Sequence, residues 1–265
     1  RAGMHEIESC GESALRAAAF NQLVSQRDTK AAQIERYFAE RRGDMGVLVD
    51  TVMTLREEAI AKLSATRQVK QRAVERYFQN IEGQVITFSE NQMVVDAMAQ
   101  LPALFNELAA QKIDTAIPAD LRDYYTSQFN AQYRKLNDGV DADVAGLLAK
   151  LPAGAIHLQD LYIAQNPHPL GQKHQMNQAD DGSNYSALHG KIHPIIRDYL
   201  DKFGYYDIFL VDIDTGNIVY SVFKELDFGT SLTTGPYADT NFAEAYRLAA
   251  ASDDPDATFL VDYKQ

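Results

Sequence analysis

Apolar residues fall on one helical face over long stretches of the first hundred positions. Val74, Tyr77, Phe78, Ile81, Val85, Phe88, Val95 and Met98 lie at offsets of 0, 3, 4, 7, 11, 14, 21 and 24. That spacing is the stripe of an amphipathic helix. Ile34, Tyr37, Phe38, Met45, Leu48, Val52, Leu55 and Ala59 form a similar stripe upstream. The two stripes contain a repeated phrase, IERYFAERRG at 34–43 and VERYFQNIEG at 74–83, forty residues apart. Helices are predicted over about 14–65 and 68–110, either as one continuous helix or as a hairpin turning near Ser64–Arg67. Forty residues are about eleven helical turns and roughly 60 Å, so in a continuous helix both copies face the same way.

Punctuation agrees with this reading. All eight prolines lie at or after Pro102, and proline is the strongest helix breaker. Beyond Pro102 the pattern is more broken. Residues 121–136 and 144–151 read as helices, the second ending at Pro152. Residues 156–165 read as a further helix, and 166–182 as a Pro-, Gly-, Asn- and Asp-rich loop. Residues 186–204 (SALHGKIHPIIRDYLDKFG) predict a helix with Pro194 inside it and Gly204 as its cap.

The period then changes. YYDIFLVD (205–212) and NIVYSVF (217–223) are β-branched and aromatic, and IDTG between them predicts a hairpin turn. A short helix is expected over 239–251 and a third strand over TFLVDY, 258–263. In the second strand Val219, Ser221 and Phe223 share one face, and Ile218, Tyr220 and Val222 the other. The fold class is therefore α+β: long N-terminal helices, as a bundle or a rod, followed by a helix-flanked antiparallel sheet. Three strands make a poor sheet, so its closing strands are expected beyond residue 265. Residues 1–13 read as a leader, with Cys10 in a disordered stretch, and the opening Arg suggests a processed product or an excised piece.

Composition narrows the partners. The net charge is −12, from 37 acidic against 25 basic residues. A nucleic-acid backbone needs a basic footprint, so nucleic acid is not an expected partner. Anionic lipid is disfavoured for the same reason, and a cationic or small polar ligand fits better. Cys10 is the only cysteine, which rules out an intramolecular disulfide and cysteine-based zinc or haem motifs. No stretch approaches the roughly 18 apolar residues of a membrane span.

Few motifs carry chemistry. No nucleophile elbow, phosphate-binding loop or dinucleotide fingerprint is present, and no enzymatic activity is expected. Five of six histidines fall in one region: His157, His168, His174, His189 and His193. His189 and His193 stand four apart, and Pro194 disfavours helical geometry at His193, although Gly190, four before the proline, leaves room for a kinked helix; no metal or other cofactor is expected. Asp212-x-Asp214-x-Gly216 fails as a calcium loop at its third ligand position and at Phe223, and reads as a hairpin turn. The DDPD run at 253–256 reads as a solvated loop. Tyr205, Tyr206, Tyr220, Tyr237, Tyr246 and Tyr263 crowd the last sixty residues. They either pack the sheet against its helices or rim a pocket.

A family resemblance follows from these stretches. A long helix with a Tyr-Phe pair, then YIAQNPHPLG (162–171), FGYYDIFLVDIDTGNIVYSVFKELDFGTSLTTGPYADTNFAEAYRLA (203–249) and TFLVDY resembles the Cache-type, PAS-like extracytoplasmic sensor domain of bacterial receptors. Such domains occur on methyl-accepting chemotaxis proteins, sensor histidine kinases and cyclases. The likeness is strongest over 185–265 and moderate over 70–110. It implies a membrane-proximal helical segment at 14–67 and a sensor domain at 68–265, made of a long helix at 68–110, a helical insert at 113–203 and a sheet region at 205–265. The missing closing strands and the extra helical copy depart from the family pattern.

The implied function is binding of a small polar molecule by the periplasmic part of a membrane-anchored receptor, most simply a chemoreceptor. A homodimer through the N-terminal helices is the expected assembly. Residue type and resemblance together nominate Tyr206, Tyr220, Lys224, Tyr237, Asp262 and Tyr263, with His193 and Arg197 from the preceding helix. Arg197 would clamp a carboxylate and Asp262 would receive an amine. The alternative is a helical dimerisation scaffold without a ligand.

Overall fold

A computed structural model describes residues 2–111 and 116–263, with side chains from residue 11 onward. Residue 1 of the leader, residues 113–115 of the helical insert and residues 264–265 of the sheet region lie outside the described residues.

Helix α1 spans Ala2–Ser89. It takes in the expected leader as helix and runs through Ser64–Arg67 without a turn, which corrects both the disordered leader and the hairpin alternative. Good helix formers and the absence of proline sustain it. Threonines on it satisfy their hydroxyls on the preceding turn, as Thr51 does on the Val47 carbonyl at 2.8 Å. Contacts divide the chain into residues 1–78 and 79–265. Within the first unit no described side chain is buried, and Tyr37, Phe38, Leu48 and Tyr77 are all more than half exposed.

The second unit holds the core. The expected helix over 68–110 is broken twice. Asn91 ends the first stretch and caps α2 (Gln92–Met98) by accepting from Met93 N at 3.0 Å. Pro102 then sits in the first turn of α3 (Leu101–Gln111), where its missing N–H costs nothing. The breaks reset the buried face. Val94, Ala97, Leu101, Phe105 and Leu108 are buried, while Val95, expected on the apolar stripe, is exposed.

Helix α4 (Ala119–Asp123) continues through a π-helical stretch, Tyr124–Phe129, into α5 (Asn130–Leu136). Helix α6 (Val144–Ala149) is followed by α7 (Ala153–Gln159), which again runs into a π-helical turn, Asp160–Ala164. Helix α8 (Asn184–Phe203) accommodates Pro194 and is closed by Gly204 in the left-handed conformation, φ 72°, as the sequence predicts. Gly190 lets the preceding loop lie close, since a Cβ there would stand 2.6 Å from Gln178 Oε1.

Strands β1 (Phe209–Val211) and β2 (Ile218–Ser221) form the antiparallel hairpin, with a bulge between Leu210 and Val211. Gly216 turns it at φ 72° and donates to the Asp212 carbonyl at 2.8 Å. Both strands are shorter than their sequence runs. Val222 still donates across to the Ile208 carbonyl at 3.2 Å, while the Asp207 carboxylate also takes the N–H groups of Val222 and Phe223. Both faces of β2 are buried, so its tyrosine and serine faces alike meet protein. Helix α9 (Asn241–Ala250) follows, capped by Thr240.

The third strand is not formed. Residues 258–263 are irregular and mostly exposed, because β-propensity yields a strand only where a ladder partner exists. The chain is of the α+β class, mostly helical, with a two-stranded sheet.

Candidate functional site

Helix α8 turns Tyr185, His189 and His193 inward at four-residue spacing, and all three are buried. The two imidazoles stack at 4.6 Å. Nε2 of His193 lies 2.7 Å from the His174 carbonyl, which only accepts, so Nε2 carries the proton. Nδ1 then accepts from the Tyr220 hydroxyl at 2.7 Å. Burial first, and Lys224 second, push His193 down to about 2, so the ring is neutral. By the same reasoning His189 donates from Nδ1 to the Asn177 carbonyl at 2.6 Å, and its buried Nε2 has no partner. Arg197 also donates to the His174 carbonyl, at 2.9 Å. Among the described residues no cluster of three metal-ligating side chains occurs.

Lys224 completes this interior. It is fully buried in a left-handed backbone conformation, φ 60°. Its ammonium reaches the Ser221 and Val222 carbonyls and lies 4.8 Å from the Tyr220 ring centre, 5.3 Å from Phe228 and 5.8 Å from Tyr162. Burial lowers its pKa to about 7, against the upward pull of Asp207. Four nominated residues therefore meet here: His193, Arg197 and Tyr220 are linked by hydrogen bonds, directly or through the His174 carbonyl, and Lys224 joins them over the Tyr220 ring.

A cavity of about 590 Å³ opens beside this core. The π-helical stretch and α5 present Tyr124, Phe129 and Tyr133 to it; the segment after β2 presents Glu225 and Asp227, and Tyr237 closes one side. A π-helical turn shifts the side-chain register within a helix, and here Tyr124 lines the cavity while Tyr125 packs behind it. Tyr125 donates to Gln159 Oε1 at 2.6 Å, and Gln159 Nε2 donates to the Leu226 and Phe228 carbonyls at 2.8 and 2.9 Å. That clamp fixes Asp227 between its two anchor points. Asp227 Oδ1 is buried without a hydrogen-bond partner. Burial, followed by the charges of Asp207 and Glu225, raises its carboxyl to about 7.

The remaining nominated residues are dispersed. Tyr237 and Lys224 contribute to the cavity wall. Tyr206 is exposed, stacks on Phe223 at 5.9 Å and donates to Glu225. Asp262 and Tyr263 lie on the exposed terminal segment, away from the cavity lining, where the Asp262 carbonyl accepts from Asn241 at 2.6 Å. Sequence reading did not single out Tyr124, Gln159, Asp207 or Asp227. Their roles depend on partners up to 69 residues away.

A second cavity, of about 530 Å³, is apolar and lies between the end of α1, α2 and β1, with Val85, Phe88, Val94, Tyr199 and Leu210 on its walls. Tyr199 and Tyr205 both donate to Gln84 beside it, at 3.1 and 2.5 Å. Compared with protein-family models, curated proteins and solved structures, the chain matches none.

Proposed function

We propose that this chain is the ligand-sensing, extracytoplasmic part of a bacterial transmembrane receptor of the Cache, PAS-like kind, most simply a chemoreceptor. It binds a small polar molecule in the cavity lined by Tyr124, Tyr133, Asp227 and Tyr237. The observation that carries the reading is a roomy cavity of about 590 Å³ lined by the aromatic residues Tyr124, Phe129, Tyr133 and Tyr237 together with the polar residues Glu225 and Asp227. Binding sites combine such apolar walls with a few placed polar groups. No described helix is long and apolar enough to cross a membrane, so the reading places any anchor outside the described residues.

A contact chain leads from the cavity towards α1. Phe223 lines the cavity and packs on the His174 ring at 4.4 Å. The His174 carbonyl holds His193 and Arg197 of α8, and Tyr199 of the same helix holds Gln84 of α1. A ligand that shifts the segment after β2 acts on α1 through α8, in keeping with small helix displacements as a signal. A thermal-shift screen of a metabolite library tests the reading. At least one small polar compound is expected to raise the melting temperature, and Leu136→Trp, which fills the cavity from its exposed rim, is expected to abolish the shift. A library without effect, or shifts that survive Leu136→Trp, would overturn it.

A second reading is favoured by the apolar stripe of α1, which is exposed from Leu15 to Tyr77. A helical dimerisation scaffold accounts for that stripe without a ligand. A constitutive tight dimer indifferent to the library would favour it.

A further inference from the structure

Strand β1 pairs with β2 on one side, and its other side is open. The Ile208 carbonyl accepts from Val222, and the Asp212 N–H donates to the Asn217 carbonyl, so Ile208, Leu210 and Asp212 face β2. By alternation the N–H and C=O groups of Phe209 and Val211 point the other way. Among the described residues no strand pairs with that edge. An open edge is a template for a further strand. Beside it lies the apolar cavity of about 530 Å³, with Val85, Phe88, Val94 and Leu210 on its walls.

The chain holds a segment that matches this edge. Residues 258–263 (TFLVDY) have strand composition, make no ladder and expose Phe259, Leu260 and Tyr263. Helix α9 fixes their direction. Phe242, in its first turn, packs on Phe209 at 4.7 Å, and Tyr246, one turn on, donates to the Ile213 carbonyl at 2.9 Å, so α9 and β1 run the same way. After α9 the chain reverses, and the Asp262 carbonyl returns to Asn241 Nδ2 at 2.6 Å. Residues 258–263 therefore run antiparallel to β1, with Asp262 towards the Phe209 end.

We propose that residues 258–263 close onto the outer edge of β1 as an antiparallel third strand, a strap over the apolar cavity. Asp262 then pairs with Phe209 and Leu260 with Val211, which gives the free N–H and C=O groups of β1 their partners. Directly opposed residues share a face of the sheet. Leu260 joins Val211 on the side where Phe209 and Val211 pack with Phe242 and Tyr246. Phe259, Val261 and Tyr263 turn to the side of Leu210, where the cavity receives them. The tether through α9 holds the segment at an effective concentration of about millimolar, which favours the chain's own strap over that of a second copy.

Disulfide trapping in the whole chain tests the strap. In a Cys10→Ser background, Val211→Cys with Leu260→Cys puts two thiols at opposed positions, whose Cα atoms stand about 5.5 Å apart in a hydrogen-bonded antiparallel pair, within reach of a disulfide. Val211→Cys with Val261→Cys puts them on opposite faces and is the control. Mild oxidation is expected to cross-link the first pair within one chain about tenfold or more faster than the control. Equal rates, or no bond within the chain, overturn the proposal. Disulfide-linked dimers in place of the internal bond assign the edge to a second copy and overturn it as well. Hydrogen exchange keeps the test decisive if Val211→Cys does not fold. Leu260→Pro, at an exposed position, removes a donor from the strap. The Phe209 and Val211 amides are expected to exchange about tenfold or more faster in it than in the parent, with the Ile196 amide of α8 unchanged. Equal exchange in the two chains overturns the strap.

Discussion

The Tyr220 hydroxyl donates to Nδ1 of His193 across 2.7 Å in the interior, joining β2 to α8. Removing the donor with Tyr220→Phe leaves Nδ1 buried without a partner. The expected cost is about 1–3 kcal/mol, measured as a lowered urea midpoint at unchanged slope. A variant as stable as the parent would show that the bond does not hold the two elements together.

Asp227 gives stability a pH dependence of definite sign. The folded chain keeps its proton up to about 7, and the unfolded chain only up to the ordinary 3.8. Between these values the folded state binds more protons, so this contribution is fully present below about pH 4 and is lost as pH rises through 7. The difference between Asp227→Asn and the parent isolates this contribution from those of other titrating groups. The variant should gain relative stability from pH 4 to 7 in denaturant titrations. A flat difference would contradict the burial assigned to Asp227.

Lys224 gives the opposite slope. Its proton leaves near pH 7 in the folded chain and near 10.5 in the unfolded one. Stability is therefore reduced below pH 7, where the charge is buried, and recovers as pH rises from 7 to 10.5. Lys224→Met loses two hydrogen bonds, which sets an offset. Its stability relative to the parent should still be highest below pH 7 and fall above it.

Gly229 holds the turn after Asp227 against α7. Its φ is 80°, and a Cβ would stand 2.9 Å from the Ala155 backbone. Gly229→Ala is expected to cost about 2–4 kcal/mol from strain and overlap. Gly182→Ala, at φ 69° with open space around it, should cost only about 1 kcal/mol. Equal losses at the two sites would remove the packing argument.

Helix α1 exposes Phe38 and Val52 on one stripe. If that stripe pairs two copies of the chain, Phe38→Glu with Val52→Glu should convert a sedimenting dimer to a monomer while the melting of residues 79–263 stays unchanged. A parent that is monomeric at every concentration would end the dimer proposal.

What the sequence disclosed depended on how local each cause is. The Gly204 cap, the Gly216 turn and the tolerance of Pro194 depend on neighbours within a few residues, and all were readable. The break at Asn91 depends on one side-chain cap that interrupts an otherwise convincing stripe, and Val95 was misplaced as a result. TFLVDY has strand composition but no ladder partner among the described residues. The inward turn of His193 followed from its place on α8, whereas its partner His174 lies across a loop. Asp227 was invisible as a candidate because Gln159 and Tyr125, which fix its position, are far away in sequence.

The central claim is that the cavity beside β2 is where a small molecule binds. Tyrosine-ring carbon chemical shifts, followed while the chain is titrated with a compound that raises its melting temperature, test it most directly. Resonances of Tyr124, Tyr133 and Tyr237 are predicted to move together and saturate, with exposed Tyr263 unchanged. Movement confined to Tyr199 and Tyr205, beside the apolar cavity, would contradict the claim.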